Sequence, residues 1–203
     1  MKIKIGFLAS HGGSNMQAII DAAKTGTLHA NPVVVISNNS DSTALERARK
    51  EGIPAFYLSA KTHPEPDRLD QAILDTLISH HVDIIALAGY MKKLGSKTLS
   101  HFRGRILNIH PALLPKHGGK GMYGIHVHEA VIAAHEKESG VTIHLVTEEY
   151  DRGPIIAQVR VPVEPVDTPA ILAARVLVEE HKLYPATLQR IVTGEINLDN
   201  YRK

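Results

Sequence analysis

The sequence contains no cysteine, which removes several kinds of chemistry at once. A disulfide framework, a thiolate zinc site and a cysteine nucleophile are all excluded. Aromatic residues are few, at 4%, and no apolar run approaches the length needed to span a bilayer. The first residues, Met1-Lys2-Ile3-Lys4-Ile5, alternate apolar and charged side chains and lack the apolar core of a signal peptide. Neither sign of charge dominates: 23 Lys and Arg stand against 21 Asp and Glu, too even a balance for non-specific nucleic-acid binding. Signature motifs are missing as well. There is no HExxH pattern, no carboxylate-histidine cluster at metal spacing and no G-x-S-x-G elbow, so the 13 histidines are read without a metal. The expectation is a cytoplasmic enzyme or binding protein, with neither nucleic acid nor membrane as partner.

What is present fits one domain over residues 1–203, because 43% hydrophobic content in 203 residues fills one core and is short for two. Residues 3–9 read as a buried strand ending in the turn Ser10-His11-Gly12-Gly13. Ser14 then reads as an N-cap, with Gln17 completing a capping box. Met16, Ile19, Ile20 and Ala23 follow at helical spacing. A β-branched run at Val33–Ile36, a helix from Ser42 to Lys50, a strand near 54–58 and a helix carrying Leu69, Ala72, Ile73 and Leu77 continue the alternation. Asp83–Ala88 is a continuous apolar run suited to a central parallel strand, and Arg105–Asn108 is a further strand. The pattern predicts a Rossmann-like α/β fold, a twisted and mostly parallel sheet flanked by helices. Beyond a helix at 126–137, Val141, Ile143 and Leu145 alternate with Thr142 and His144. Val159, Val161 and Val163 repeat the pattern, giving a C-terminal antiparallel pair. Thr168-Pro169 opens a long C-terminal helix that Pro185 is expected to kink.

Ligands in such folds sit at the carboxyl ends of strands, which directs attention to 10–14, 88–94 and 108–115. Gly12-Gly13-Ser14-Asn15 is a glycine turn at a helix start, suited to an anion such as phosphate and equally readable as a tight turn with a cap. Asn108 and His110 are two apart in an extended segment and project to one side, an amide donor beside an imidazole. Asp151, followed by Gly153 and Pro154, reads locally as a turn, and gains interest only as a carboxylate partner to His110.

Taken together, Gly13-Ser14-Asn15, Leu87-Ala88-Gly89-Tyr90-Met91, Asn108-Ile109-His110-Pro111 with Leu113-Leu114-Pro115, and Asp151-x-Gly153-Pro154-Ile155 resemble the folate-dependent phosphoribosylglycinamide formyltransferases of purine biosynthesis. The similarity runs from residue 2 to roughly residue 193. It implies the formyltransferase fold, 10-formyltetrahydrofolate as co-substrate, glycinamide ribonucleotide as acceptor, no metal, and a monomer or homodimer. By this resemblance Asn108, His110 and Asp151 form the catalytic trio: Asn108 and protonated His110 stabilise the oxyanion of a tetrahedral intermediate, while Asp151 keeps His110 charged and assists proton transfer to the departing folate nitrogen. Gly13, Ser14 and Asn15 grip the phosphate, and Glu180 meets the ribose. Met91, Lys92, Lys93 and Leu94 hold the pterin, His144 is a further active-site histidine, and Leu114–Pro115 is a cis peptide. Pro66 stands where some relatives have a folate-contacting arginine, which leaves Arg68 as the nearby substitute. The glycine-rich 118–124 segment is expected to form a mobile loop over the site. Two relatives with the same chemistry are less well matched. Formyltetrahydrofolate hydrolase ordinarily carries an extra N-terminal domain, and methionyl-tRNA formyltransferase an extra C-terminal one. A non-catalytic folate- or nucleotide-binding module would leave the Asn108, His110 and Asp151 set unexplained.

Overall fold

The computed structural model describes residues 2–201. Met1, at the head of the alternating N-terminal stretch, and residues 202 and 203 of the expected domain lie outside them. Seven strands form one sheet: β1 (Ile3–Leu8), β2 (Ala30–Ser37), β3 (Ala55–Tyr57), β4 (Ile84–Leu87), β5 (Ile106–His110), β6 (Glu138–Leu145) and β7 (Ile155–Pro162). Their order is β3-β2-β1-β4-β5-β6-β7. The first five are parallel, β6 runs antiparallel to β5, and β7 antiparallel to β6. Chain order reverses direction across the sheet between β1 and β4, and such a reversal leaves a crevice at the strands' carboxyl ends.

Six helices cover the sheet: α1 (Ser14–Thr25), α2 (Thr43–Lys50), α3 (Pro66–Ser79), α4 (Ser96–His101), α5 (Ile125–Ala133) and α6 (Pro169–Val192). Two apolar layers result, one on each face. Met16, Ile19, Leu45, Val131, Leu172, Val176 and Tyr184 pack against Ile5, Phe7, Leu107 and Ile143. Leu74, Leu77 and Phe102 pack against Leu8, Val34, Ile85 and Ile106. Among the described residues no helix is long and apolar enough to cross a membrane.

Two caps read from sequence are present. Ser42 accepts from Leu45 N–H at the start of α2, and Thr168 accepts from Ile171 N–H at the start of α6. The capping box at Ser14 and Gln17 is not. Gly13 is the residue flanking α1, in the left-handed region at φ 65, and no side chain caps the helix. Packing decides this: a Cβ at Gly13 would lie 2.8 Å from Ala44 Cβ, so α2 approaches the turn too closely for a larger residue. Gln17 bonds Asp21 and Glu51 instead.

Further details concern β6, α5 and α6. The alternation along β6 marks a strand, as expected, and its Thr142 and His144 are buried, because β6 has a strand on either side and α6 against it. Thr142 is satisfied there, donating to Ala112 O and accepting from Leu114 N–H and Gln158. The helix expected at 126–137 ends at Ala133, where His135 turns left-handed at φ 51. α6 runs through Pro185 without a break to Val192.

The hydroxyl of Tyr184, fully buried on α6, lies 2.9 Å from Leu107 O and 3.2 Å from Leu87 O. It joins the long helix to the carboxyl ends of β4 and β5. Tyr184→Phe is expected to lower the unfolding free energy by about 1 kcal/mol, measured by urea denaturation, because two buried carbonyls lose their donor.

Candidate active site

Three strand ends meet at the crevice. Beyond β1, Ser10 accepts from Met91 N–H at 2.7 Å and donates to Asn38, fixing the 89–91 turn after β4 against β1. Beyond β5 come Asn108, Ile109 and His110. They line a cavity of about 630 Å³ shared with His11, Asn15, Met91, Tyr150, Asp151, Glu180 and the 119–124 loop. A smaller cavity of about 70 Å³ adjoins it, lined by Lys92, Lys93, Leu94 and His144 and sharing Asn108 and Asp151 with the first. Tyr90 borders both, and burial pushes its phenol up to about 12, keeping it neutral.

His110 is buried, and its Nε2 lies 2.8 Å from His117 O. A carbonyl only accepts, so Nε2 carries the hydrogen, and Nδ1 faces Asp151 Oδ2 at 3.7 Å. Burial lowers the His110 pKa below 6.5, outweighing the upward pull of the Asp151 charge and of the His117 carbonyl. The free site therefore holds a neutral His110. Removing the imidazolium from water costs more than one carboxylate at 3.7 Å returns.

Asp151 occupies the left-handed region at φ 55, uncommon for a residue other than glycine. Burial acts to raise its carboxyl. The contact with His144 and the Gly119 N–H at 2.8 Å outweigh that, so it stays ionised below the usual carboxylate range. His144, on β6 directly opposite Asn108, donates from Nδ1 to Leu145 O at 2.9 Å. Its Nε2 lies 3.1 Å from Asn108 Nδ2 and 3.4 Å from Asp151 Oδ1. A neutral His144 accepts the Asn108 N–H there, and a charged one donates to Asp151.

At the start of α1, Asn15 Nδ2 donates to Glu180 Oε2 at 2.6 Å, a buried pair linking α1 to α6. Burial raises the Glu180 carboxyl, partly offset by that bond. Asn15 Oδ1 is buried without a partner. Gly13 and Ser14 do not line the cavity; they stand beside it at the uncapped helix start.

Most residues read from sequence are thus brought together, and Arg68 stands further off than Gly13 and Ser14. Arg68 is exposed and pairs with Glu65 at 2.8 Å on the outer side of α3, lining none of these cavities. It is two residues from Pro66, which lines a neighbouring hollow, and that offset turns a helical side chain to another face. The Leu114–Pro115 peptide is cis, as the resemblance implied. Among the described residues no group of three or more His, Asp or Glu is arranged to hold a metal. Sequence reasoning missed His117 and Gly119, which act through backbone groups that side-chain identity does not reveal, and Ser10, whose only signal was its place at the end of β1.

Comparison with known proteins agrees with this arrangement. The formyl transferase family model matches residues 3–188. The chloroplastic phosphoribosylglycinamide formyltransferase of Vigna unguiculata is 45% identical over 95% of the chain, which spans 62% of that protein's length. The phosphoribosylglycinamide formyltransferase of Escherichia coli K12 is 38% identical over 94% of the chain and 88% of its own length. The crystal structure of glycinamide ribonucleotide transformylase 1 from Symbiobacterium toebii superposes with a TM-score of 0.91 at 37% identity, covering 99% of this chain and 92% of that one. The chain therefore belongs to the formyl transferase family, among the phosphoribosylglycinamide formyltransferases.

Proposed function

We propose that the protein, as one domain, transfers the formyl group of 10-formyltetrahydrofolate to the amine of glycinamide ribonucleotide. The observation that carries this reading is the convergence of Asn108, His110 and Asp151 on a cavity that Asn15 and Glu180 also line. The uncapped start of α1, with the backbone of Gly13, Ser14 and Asn15, suits the phosphate of the acceptor. Asn15 Oδ1, buried without a partner, and the adjacent Glu180 carboxyl offer acceptors to ribose hydroxyls. The smaller cavity beside Lys92, Lys93, Leu94 and His144 suits the pterin, with Met91 at its approach. The formyl group then lies near Asn108, which borders both cavities.

In the reaction the amine attacks the formyl carbon, a C–N bond forms and the carbonyl oxygen becomes an oxyanion. Asn108 has two N–H groups, and the one not directed at His144 donates to that oxygen. His110, neutral and with Nδ1 free to accept, takes the proton lost by the amine. The imidazolium so formed lies beside Asp151, which stabilises it once it exists rather than beforehand. The proton passes to the folate nitrogen as the bond between that nitrogen and the formyl carbon breaks, and His110 returns to neutral. No step draws on a metal.

Three outcomes follow. Purified protein supplied with 10-formyltetrahydrofolate consumes it rapidly only when glycinamide ribonucleotide is present. Equal consumption with water alone as acceptor would make the protein a hydrolase. Asn108→Ala lowers kcat by about a hundredfold or more, with an unchanged circular dichroism spectrum; near-normal turnover would remove Asn108 from the chemistry. The pH profile of kcat/KM falls on its acid side only below the ordinary histidine value of 6.5, because burial depresses His110. Asp151→Asn moves that limb to still lower pH, since the Asp151 charge opposes the depression. An acid limb above 6.5 would contradict the neutral-base assignment.

A further inference from the structure

Between β4 and α4 the chain from 88 to 95 forms neither helix nor strand, so its backbone groups have no ladder to hold them. Tyr90 and Leu94 pack against the apolar layer of Leu74 and Phe102, and between these two anchors Met91, Lys92 and Lys93 are exposed. Among the described residues, the stretch 89–93 makes two hydrogen bonds to the rest of the protein, and both are with Ser10. The Ser10 N–H donates to Gly89 O at 3.0 Å, and the Ser10 hydroxyl accepts from Met91 N–H at 2.7 Å. Ser10 itself is only 1% exposed and lines none of the cavities around the site. A hydroxyl has one hydrogen, and that of Ser10 is directed to Asn38 Oδ1, just beyond β2. This sets the rotation of the hydroxyl and turns its lone pairs toward Met91. One oxygen thus joins the carboxyl ends of β1, β2 and β4. The turn that follows Ser10 has holds of its own: Ala44 N–H bonds His11 O, Arg47 Nε donates to Gly12 O, and Gln17 N–H bonds Gly13 O.

We propose that Ser10 is a positioning residue for the folate: its hydroxyl orders Met91, Lys92 and Lys93 in advance, so that their backbone meets the pterin already in place. Without that bond the stretch has to be ordered as folate binds, and the ordering cost lowers affinity while the bound geometry stays the same. The effect therefore falls on folate binding and spares the chemical step. It spares the acceptor as well, because the turn from His11 to Asn15 is held by α1 and α2 rather than by the Ser10 hydroxyl. The inference rests on the placement of the pterin beside Lys92, Lys93 and Leu94 proposed above, whereas the tether itself is observable without any ligand.

The test uses the whole chain labelled with 15N, as wild type, Ser10→Ala, Ser10→Cys and Thr168→Ala. Ser10→Cys keeps the volume of the side chain but replaces the oxygen by a weak acceptor. Thr168→Ala removes the cap of α6 and lines none of these cavities, so it controls for a general loss of stability. In the unliganded protein the Met91 amide is expected to exchange its hydrogen at least about tenfold faster in Ser10→Ala than in wild type or Thr168→Ala. The KM for 10-formyltetrahydrofolate, and the Kd for tetrahydrofolate measured by calorimetry without turnover, rise roughly five- to tenfold in Ser10→Ala. In the same variant kcat and the KM for glycinamide ribonucleotide stay within about twofold of wild type. Ser10→Cys is expected to lie closer to Ser10→Ala than to wild type. Wild-type folate affinity in Ser10→Cys would make volume rather than the bond the cause, and overturns the proposal. So does a Met91 amide that stays protected in Ser10→Ala, an unchanged folate KM, an equal rise in the ribonucleotide KM, or the same folate defect in Thr168→Ala. If no form binds folate but the Met91 amide responds as described, the placement of the pterin fails and the tether stands.

Discussion

The site depends on how α6 is held against the sheet. The Tyr184 hydroxyl, between the carbonyls of Leu87 and Leu107, ties the helix to β4 and β5 beside the cavities. Glu180 lies one helical turn earlier on the same face, so the contact that seats Tyr184 also delivers Glu180 to Asn15. A helix displaced here would carry Glu180 away from α1 and loosen the strand ends that bear Asn108 and Ala88.

Burial governs the charges at the other end of the site. Asp151 remains ionised because it has partners, the Gly119 N–H and His144. His110 has a carboxylate nearby but little water, and desolvation prevails, leaving it neutral until it gains a proton. Burial and hydrogen bonding thus push two groups 3.7 Å apart toward different ionisation states. The left-handed turns at Asp151 and His117 are backbone conformations that the surrounding bonds hold in place, and each presents a polar group to the pair.

Local signals were legible wherever the physics was local. Ser42 and Thr168 cap their helices because a hydroxyl three residues before a helical N–H reaches it whatever else surrounds it. Ser14 has the same credentials, and Gly13 takes the position because α2 packs against the turn. The short helix α4 carries no cap of its own. It is capped from α3 by Asp70, which accepts from Lys97 N–H, Thr98 N–H and the Thr98 hydroxyl, so nothing in its own residues announces it.

The residue pattern alone established the alternating strands and helices, the mostly parallel sheet, and the pairing of Asn108 with His110, since periodicity and two-residue spacing are properties of the chain itself. It could not give Asp151 its role without family resemblance, nor foresee how burial depresses His110, nor find His117 and Gly119. Those follow from burial and from backbone groups meeting across more than thirty residues of sequence, as between Gly119 and Asp151. Distance through space, and the water that packing excludes, exist only once the chain has folded.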